Sequence, residues 1–349
     1  MEKWSVIACD QYSSEPNYWK SLDEYIGDAP SALRLMLPEA YLGGDEDGEN
    51  DKIIQSMHQY LDGNVFRTIE NSYILVERTL PGGSIRKGLV GALNLDTYDY
   101  SPVSSSPVRA TENTVEDRLP PRIKIRYRAP LEMPHIMVFV NDPENILFGG
   151  ISGNDVLYDF NLNMGGGHIK GSRISGASAD NVDRLLSTLE ASLPQDSPVM
   201  AVGDGNHSLA AAKKCGSRYA LVELVNIYDP SIVFEPIHRV LFSTDTRYFS
   251  ECLSSLNLEG IAGYADKINA ADEFCKEYVA KHGGYIDYIH DDATAIEMGS
   301  RPGCAALLLP AMNRDELFPY IKEHGVYPKK SFSIGCAADK RYYLECALI

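Results

Sequence analysis

The segment from Val202 to Ser208 combines residue types and spacing that could bind a polar ligand. It reads Val-Gly-Asp-Gly-Asn-His-Ser and follows a short apolar run that begins at Pro198. The apolar run is typical of a buried strand, Gly205 permits a sharp turn, and the alanines that follow favour a helix. A helix start presents unpaired N–H groups and favours an anion, whereas Asp204 would repel an anion unless it held a metal, a lysine or a substrate hydroxyl. The segment therefore predicts polar ligand chemistry, although Asp-Gly followed by Asn or Ser is also ordinary turn and capping chemistry.

Two acids and a histidine are the candidate catalytic residues. Glu112 could accept a proton from a hydroxyl group, or bind Mg²⁺ together with Asp204. His207 lies within the turn segment itself. Asp117 and Arg118 follow Glu112 and could either serve the ligand or form a structural ion pair.

A glycine-rich segment from Met164 to Gly171 is a second candidate for phosphate binding. Consecutive glycines, Gly166 and Gly167 among them, let backbone N–H groups approach a ligand, and His168 and Lys170 follow directly. The spacing is neither that of a Walker loop nor that of a dinucleotide-binding fingerprint. A flexible surface loop remains the alternative interpretation.

Four basic residues alternate along a predicted strand over residues 123–127. On a strand all four would share one face, and they stand out in an acidic chain. They could bind phosphate, or they could form a solvated face that pairs with the protein's own acids. The four residues are Arg122, Lys124, Arg126 and Arg128.

Three ordered segments resemble one bacterial and archaeal family, domain of unknown function 1015. Residues 204–212 are similar to its Asp-Gly-His-His-Arg-Tyr signature, residues 109–119 to its upstream His-Glu-x-Thr…Asp-Arg segment, and residues 236–240 to its downstream Pro-x-His-Arg segment. The central motif also resembles those of ParB-like proteins, sulfiredoxins and ParB-like free-serine kinases. In that superfamily the turn and helix start bind nucleotide phosphates. The resemblance therefore implies a nucleotide-linked site and a ParB/sulfiredoxin-like core segment.

On this basis the candidate ligand-binding residues extend beyond the turn. His238 could orient a substrate or could be a satisfied core histidine. The sequence departs from the family signature at two positions, Asn206 and Ser208, so the arginine that would hold a phosphate with two hydrogen bonds is missing. The candidate binding residues are Gly205, Asn206, Ser208, Arg109, Arg118, Gly166, Gly167, His168, Lys170, His238 and Arg239.

The pattern of elements predicts an α/β or α+β fold with mixed sheets and flanking helices, because helices and strands alternate irregularly without a repeat. Helices are predicted from residue 16 and over residues 53–61, 182–189, 208–215, 268–278 and 317–321. An acidic loop is predicted over residues 45–50. Loops near residues 102–107 and 244–248 suggest three parts: an N-terminal α+β domain (1–105), a central domain that carries the motif (106–245), and a C-terminal α/β portion (246–349) that could pack with the first.

Composition limits the classes of partner. The 349 residues carry a net charge of −17, which argues against binding to nucleic acid or to an anionic membrane. Seven scattered cysteines form no zinc pattern and are typical of reduced thiols, and we find no secretory signal or membrane span, so we expect a cytoplasmic protein. The sequence leaves a homodimer open.

Two functions fit these features. The first is a small-molecule enzyme that binds a nucleotide or phosphorylated metabolite, with a phosphotransferase using Mg²⁺ and ATP or ADP as the most concrete version. The second is a nucleotide- or metabolite-binding regulatory protein without turnover. ParB-like DNA binding is disfavoured by the acidity, and a hydrolase with Ser208 as nucleophile lacks the Gly-x-Ser-x-Gly pattern.

Overall fold

The computed structural model describes residues 1–116 and 119–349. Within them the helices are α1 Pro16–Ile26, α2 Glu46–Asp62, α3 Leu119–Arg126, α4 Ile146–Gly150, α5 Ala177–Ser192, α6 Asn206–Lys214, α7 Phe249–Ser254, α8 Tyr264–His282, α9 Asp292–Gly299 and α10 Leu317–His324. The strands are β1 Val6–Ile7, β2 Ser72–Thr79, β3 Ile85–Asn94, β4 Tyr98–Asp99, β5 Val108–Ala110, β6 Leu131–Glu132, β7 Met137–Val140, β8 Asp155–Asn161, β9 His168–Ser175, β10 Met200–Asp204, β11 Tyr219–Asn226, β12 Phe234–Pro236, β13 His238–Phe242, β14 Tyr285–Ile289, β15 Ala305–Leu307, β16 Phe332–Ile334, β17 Tyr342–Tyr343 and β18 Ala347–Leu348. Among the described residues, no helix has the length and apolar character needed to cross a membrane.

The largest sheet contains nine strands in the order β4-β5-β10-β7-β11-β3-β2-β9-β8. β10 runs parallel to β5 but antiparallel to β7, and β7 runs parallel to β11. The remaining neighbours on the β11 side are antiparallel. The predicted α/β or α+β fold with mixed sheets and flanking helices is confirmed.

Both faces of the sheet are covered at its centre. Along β7, Val138 and Val140 lie in a core with Leu189 of α5, whereas Met137 and Phe139 lie in a second core that includes residues of α8 and β16. This division follows from the alternation of side chains along a strand. A strand buried on both faces has no polar position, which explains why β7 is apolar throughout.

Smaller sheets join distant parts of the chain next to the large sheet. β13 lies between β14 and β15, β12 pairs with β16, and β18 pairs with β6. β17 pairs antiparallel with β1, which places residue 343 opposite residue 6. The segments around β1 and β17 therefore lie side by side. Asp10 follows β1 and Lys340 precedes β17.

The predicted three-part division stays a prediction. The nine-stranded sheet takes strands from both sides of residue 105, since β2 and β3 pair with β9 and β11. The three-stranded sheet likewise takes strands from both sides of residue 245.

The strand predicted over residues 123–127 is wrong, because these residues lie in and beside helix α3. Pro120 and Pro121 occupy its first turn, where the fixed φ of proline suits a helix. Leu119 and Ile123, four residues apart, pack together against the alanines of α6. The alternating basic residues had imitated a strand face, but the apolar pair has helical spacing.

The acidic segment after residue 44 is also helical rather than a loop. The Asp45 side chain accepts a hydrogen bond from the Gly48 amide, 3.1 Å away, and caps α2. Acids in a first helical turn are favoured by the helix dipole, so an acidic run can begin a helix.

Candidate functional site

The turn after β10 depends on two glycines. The pairing of β10 with β7 shifts between Val202 and Asp204, and a Cβ at Gly203 would lie 2.5 Å from the ring of Phe139. Gly205 has φ of +78°, and a Cβ there would lie 2.9 Å from Ile136. Only glycine satisfies both the conformation and the close approach at Gly205. Helix α6 then begins at the next residue, as the sequence predicted to within two residues.

Asp204 lies at the C-terminal end of β10 and is paired with a lysine from the far end of the chain. Its Oδ1 accepts a hydrogen bond from the Gly205 amide at 2.8 Å, and its Oδ2 lies 3.3 Å from Nζ of Lys340. The Lys340 side chain is 9% exposed. A buried ammonium near the start of this helix offsets part of the negative charge of the acids around it.

Asp10 and His135 complete a polar cluster with Asp204. One ligand atom from each of the three side chains lies within 4.8 Å of the other two. His135 is buried, and its Nδ1 lies 2.8 Å from the hydroxyl of Tyr343. Burial raises the pKa of Asp10, but His135, a hydrogen bond from Gln11 and Lys340 outweigh burial, so the pKa is lowered overall.

Glu112 faces the same region from the loop after β5. The amide of Ser331 donates to its Oε1 at 3.3 Å. Burial, with a smaller contribution from Asp204, raises the pKa of the carboxyl from 4.5 to about 6, against the opposing effect of the amides and charge at Lys330 and Ser331. A carboxyl with a pKa near neutral pH can exchange protons with a substrate hydroxyl, which suits a general base.

One buried arginine and one tyrosine fix the segment that carries Lys330. Arg239 donates to the Lys330 carbonyl at 3.1 Å and is paired with Asp272 at 2.7 Å. The hydroxyl of Tyr264 donates to the Ser331 carbonyl at 2.8 Å. Arg239 therefore holds the backbone at Lys330, next to the Ser331 amide that donates to Glu112.

The segment before β17 is fixed in a similar way. Arg78 donates to the carbonyls of Lys340 at 2.8 Å and Gly166 at 2.8 Å, and Arg86 donates to the carbonyl of Asp339 at 2.8 Å. These hydrogen bonds fix the backbone at Asp339 and Lys340. They also link the glycine-rich segment to the site through its backbone.

His207 and Asn206 connect the helix start to the Glu112 loop. His207 Nε2 accepts a hydrogen bond from the Val115 amide at 3.2 Å, and the Asn206 side chain donates to Thr111 Oγ1 at 3.5 Å. Among the described residues, the buried Oδ1 of Asn206 and Oγ1 of Thr114 have no hydrogen-bond partner. A ligand group or a water that reaches the turn would supply the missing hydrogen bonds.

His290 follows β14, and its pKa is influenced by the charged residues of the same site. Partial desolvation, followed by Lys330 and Lys340, lowers the pKa of its ring to about 4, while Asp204 and Asp10 oppose the change. The ring is therefore neutral near pH 7 and can accept a hydrogen bond there.

Several predicted binding residues are used elsewhere by the protein. Arg109 donates to the carbonyls of Ser106 and Asp196, and His238 contacts Asp292 and the Leu309 amide. His168 pairs with Asp159, and Lys170 pairs with Glu77. In each case, and also for Arg239, the partner is another part of the protein. Gly167 has φ of +85° in the turn between β8 and β9, and Ser208 is the third residue of α6.

The basic residues predicted to lie along one strand face are engaged by the protein's own acids. Arg122 pairs with Glu39, Lys124 with Asp47, Arg126 with Glu132 and Arg128 with Asp51. These contacts agree with the second interpretation of the basic residues, which is that they pair with the protein's own acids. Asp117 and Arg118, also predicted as candidates, lie outside the described residues.

Sequence reasoning missed five residues near the site. Each follows or precedes a short strand or a tight turn, which is a weak signal in sequence. The structure brings them towards Asp204 and Glu112 from five separate segments. They are Asp10, His135, His290, Lys330 and Lys340.

Comparison with known proteins gives one family and a few distant structures. A family model described as "Protein of unknown function (DUF1015)" matches residues 1–345, and no curated protein matches the chain. A free serine kinase mutant in complex with AMP is 10% identical, with 72% of this chain and 90% of that chain covered and a TM-score of 0.43. A conserved hypothetical protein from Pyrococcus furiosus is 11% identical, with 74% and 94% covered and a TM-score of 0.34. These scores are too low for the likeness to carry an argument about activity, and the ParB-like resemblance stays a prediction.

Proposed function

Because the chain belongs to the DUF1015 family of proteins of unknown function, we propose its activity from its own residues: it binds a nucleotide or phosphorylated metabolite and transfers a phosphoryl group to a small hydroxylated acceptor. The observation that carries the proposal is the convergence of Asp204, Glu112 and two lysines at the start of α6. Phosphoryl transfer needs cationic and N–H donors around the phosphate and an acid–base group at the acceptor hydroxyl.

The phosphate would lie against the start of α6. The first amides of a helix have no partner within the helix, and the dipole favours an anion there. Lys340, now paired with Asp204 at 3.3 Å, supplies a cation at this point. Lys330 supplies a second positive charge near Glu112. These lysines replace the arginine that the family signature has at the position of Ser208.

Glu112 would be the general base. In the reaction the acceptor oxygen bonds to the phosphorus, the bond from phosphorus to the leaving phosphate oxygen breaks, and the acceptor proton moves to the Glu112 carboxylate. A pKa of about 6 leaves most of this carboxylate ionised at pH 7, yet basic enough to take the proton. Mg²⁺ is the expected metal partner of a nucleotide, and the carboxylates of the site would help to hold it.

The first test is binding followed by turnover. Calorimetry with ATP, ADP, AMP and CTP, with and without Mg²⁺, should detect at least one ligand. Transfer to a panel of hydroxylated metabolites that includes serine should then be visible by ³¹P NMR. Glu112→Gln should retain binding but lose turnover by about 10²- to 10⁴-fold, the usual contribution of a general base. Glu144→Gln, a change at an exposed acid, is the matched control.

A non-catalytic binding protein is the second candidate. Ser208 favours it, because a site without the family arginine has lost a bidentate phosphate ligand. Binding without any product over long incubation would support this function. Failure of every nucleotide to bind would exclude a nucleotide ligand for both candidates.

A further inference from the structure

We propose that Asp10, His135 and Asp204 bind a single divalent cation of borderline hardness, such as Mn²⁺. The three side chains come from the N-terminal segment, the loop before β7 and the end of β10. One ligand atom from each lies within 4.8 Å of the others. Two ligand atoms that are each about 2.1 Å from one ion are at most about 4.2 Å apart. Side-chain movements of less than about one ångström would therefore bring all three ligand atoms within bonding distance of one ion.

The orientation of His135 is the independent observation that points to a ligand. Its side chain is 10% exposed, and its Nε2 lies 4.0 Å from Asp10 Oδ2, which is too long for a hydrogen bond. Nε2 forms no hydrogen bond with any residue that the structure describes, although it faces the acids. A ring nitrogen of a side chain that is nine-tenths buried, facing a carboxylate without a hydrogen bond to it, is what a metal ligand requires.

The contacts of Tyr343 place the proton on the other ring nitrogen. The Tyr343 hydroxyl donates to Cys9 Sγ at 3.2 Å and lies 2.8 Å from His135 Nδ1. With the hydroxyl hydrogen directed at the sulfur, Nδ1 is the donor to the hydroxyl oxygen. Nε2 then carries the free lone pair, as in histidines whose second nitrogen is fixed by an outer partner.

Lys340 currently balances part of the charge. Its Nζ lies 3.3 Å from Asp204 Oδ2. A cation at the cluster would bind the Asp204 carboxylate and repel the Lys340 ammonium. Lys340 would then be released from Asp204 and could contact a phosphate. Removal of the lysine charge should therefore strengthen metal binding, whereas a purely structural ion pair gives no such effect.

The donor set favours particular ions. One imidazole nitrogen and two carboxylate oxygens suit Mn²⁺ or Zn²⁺ better than Mg²⁺, which prefers oxygen ligands alone. Any role of this ion in phosphoryl transfer rests on the proposed function. Binding of the ion does not, and it can be measured without a nucleotide.

The test uses the full chain and Mn²⁺ alone, by calorimetry and electron paramagnetic resonance. We expect one saturable site, with Asp10→Asn and Asp204→Asn each weakening binding at least about tenfold and Lys340→Met strengthening it. Asp159→Asn is the matched control, because Asp159 also pairs with a histidine, His168 at 2.9 Å, but outside the cluster. This control should bind Mn²⁺ like the unchanged protein.

Two results would overturn the site. One is the absence of one-equivalent binding at millimolar Mn²⁺ or Zn²⁺, and the other is binding that persists unchanged in both aspartate variants. Should those variants fold poorly, selective broadening of the His135 ring signals by Mn²⁺ in the unchanged protein decides the matter: broadening supports the site and undisturbed signals refute it. Nucleotide titrations in metal-free buffer separate a failure here from a failure of the proposed function.

Discussion

Replacing Glu112 by Gln should stabilise the protein at neutral pH, and the gain should fade in acid. Burial raises the pKa of this carboxyl from 4.5 to about 6 in the folded protein. The folded state therefore holds the proton more tightly than the unfolded chain, and ionisation of Glu112 opposes folding. A pKa difference of about 1.5 corresponds to about 2 kcal/mol in the free energy of unfolding.

The sign and the pH range follow from the two pKa values. Below about pH 4.5 the carboxyl is protonated in both states and carries no penalty. The penalty grows between the unfolded and folded pKa values and is complete above about pH 6. Gln is uncharged at every pH and keeps an oxygen that can accept from the Ser331 amide, so it escapes the penalty.

Urea unfolding of both proteins at several pH values measures the effect. The Gln variant should be more stable by about 2 kcal/mol near pH 7.5, and by less than about 1 kcal/mol near pH 5. Glu144→Gln should show no such pH-dependent difference, because Glu144 is exposed. A stability difference independent of pH, or a loss of stability near pH 7.5, would refute the reasoning. Gained stability together with lost turnover is the usual signature of an active-site acid.

Three further predictions concern the turn, the buried charges and His290. Gly205→Ala should cost about 1–3 kcal/mol of unfolding free energy and abolish ligand binding. Gly216→Ala, just after the other end of α6, has a similar φ of +76° but open space around a Cβ, so it should cost less and spare binding. Equal losses would contradict the close approach at Gly205. Arg341→Met leaves the carboxylate of Glu223, its partner at 2.7 Å, buried and unpaired, so urea unfolding should show a loss of about 3–5 kcal/mol, part of which Glu223→Gln should restore. An NMR titration of His290 should give a midpoint near 4, and a midpoint at the ordinary histidine value would show that the ring is not desolvated by the site.

Local patterns in the sequence were sufficient wherever one element decides its own structure. Helix α1 begins at Pro16, as the sequence predicted. The turn at Asp204 was also predicted, because an apolar strand, a glycine and an alanine-rich helix are each local signals. The strand predicted over residues 123–127 failed because its alternating charges are surface residues, whereas the packing of Leu119 and Ile123 on α6 decides the helix.

The sequence by itself determined the class of fold, the family and the turn around which the site is built. Only the tertiary structure decided which side chains share that site. Asp10, His135, Asp204 and Lys340 are separated by more than 60 residues at each step, and no periodicity relates positions so far apart. They meet because β1 pairs with β17 and because β10 and β7 are neighbours in one sheet. The same packing engages Arg109 and His238 elsewhere, since a buried charge or ring takes the nearest partner that the fold supplies. Lys170 is half-buried and pairs with Glu77 on the neighbouring strand.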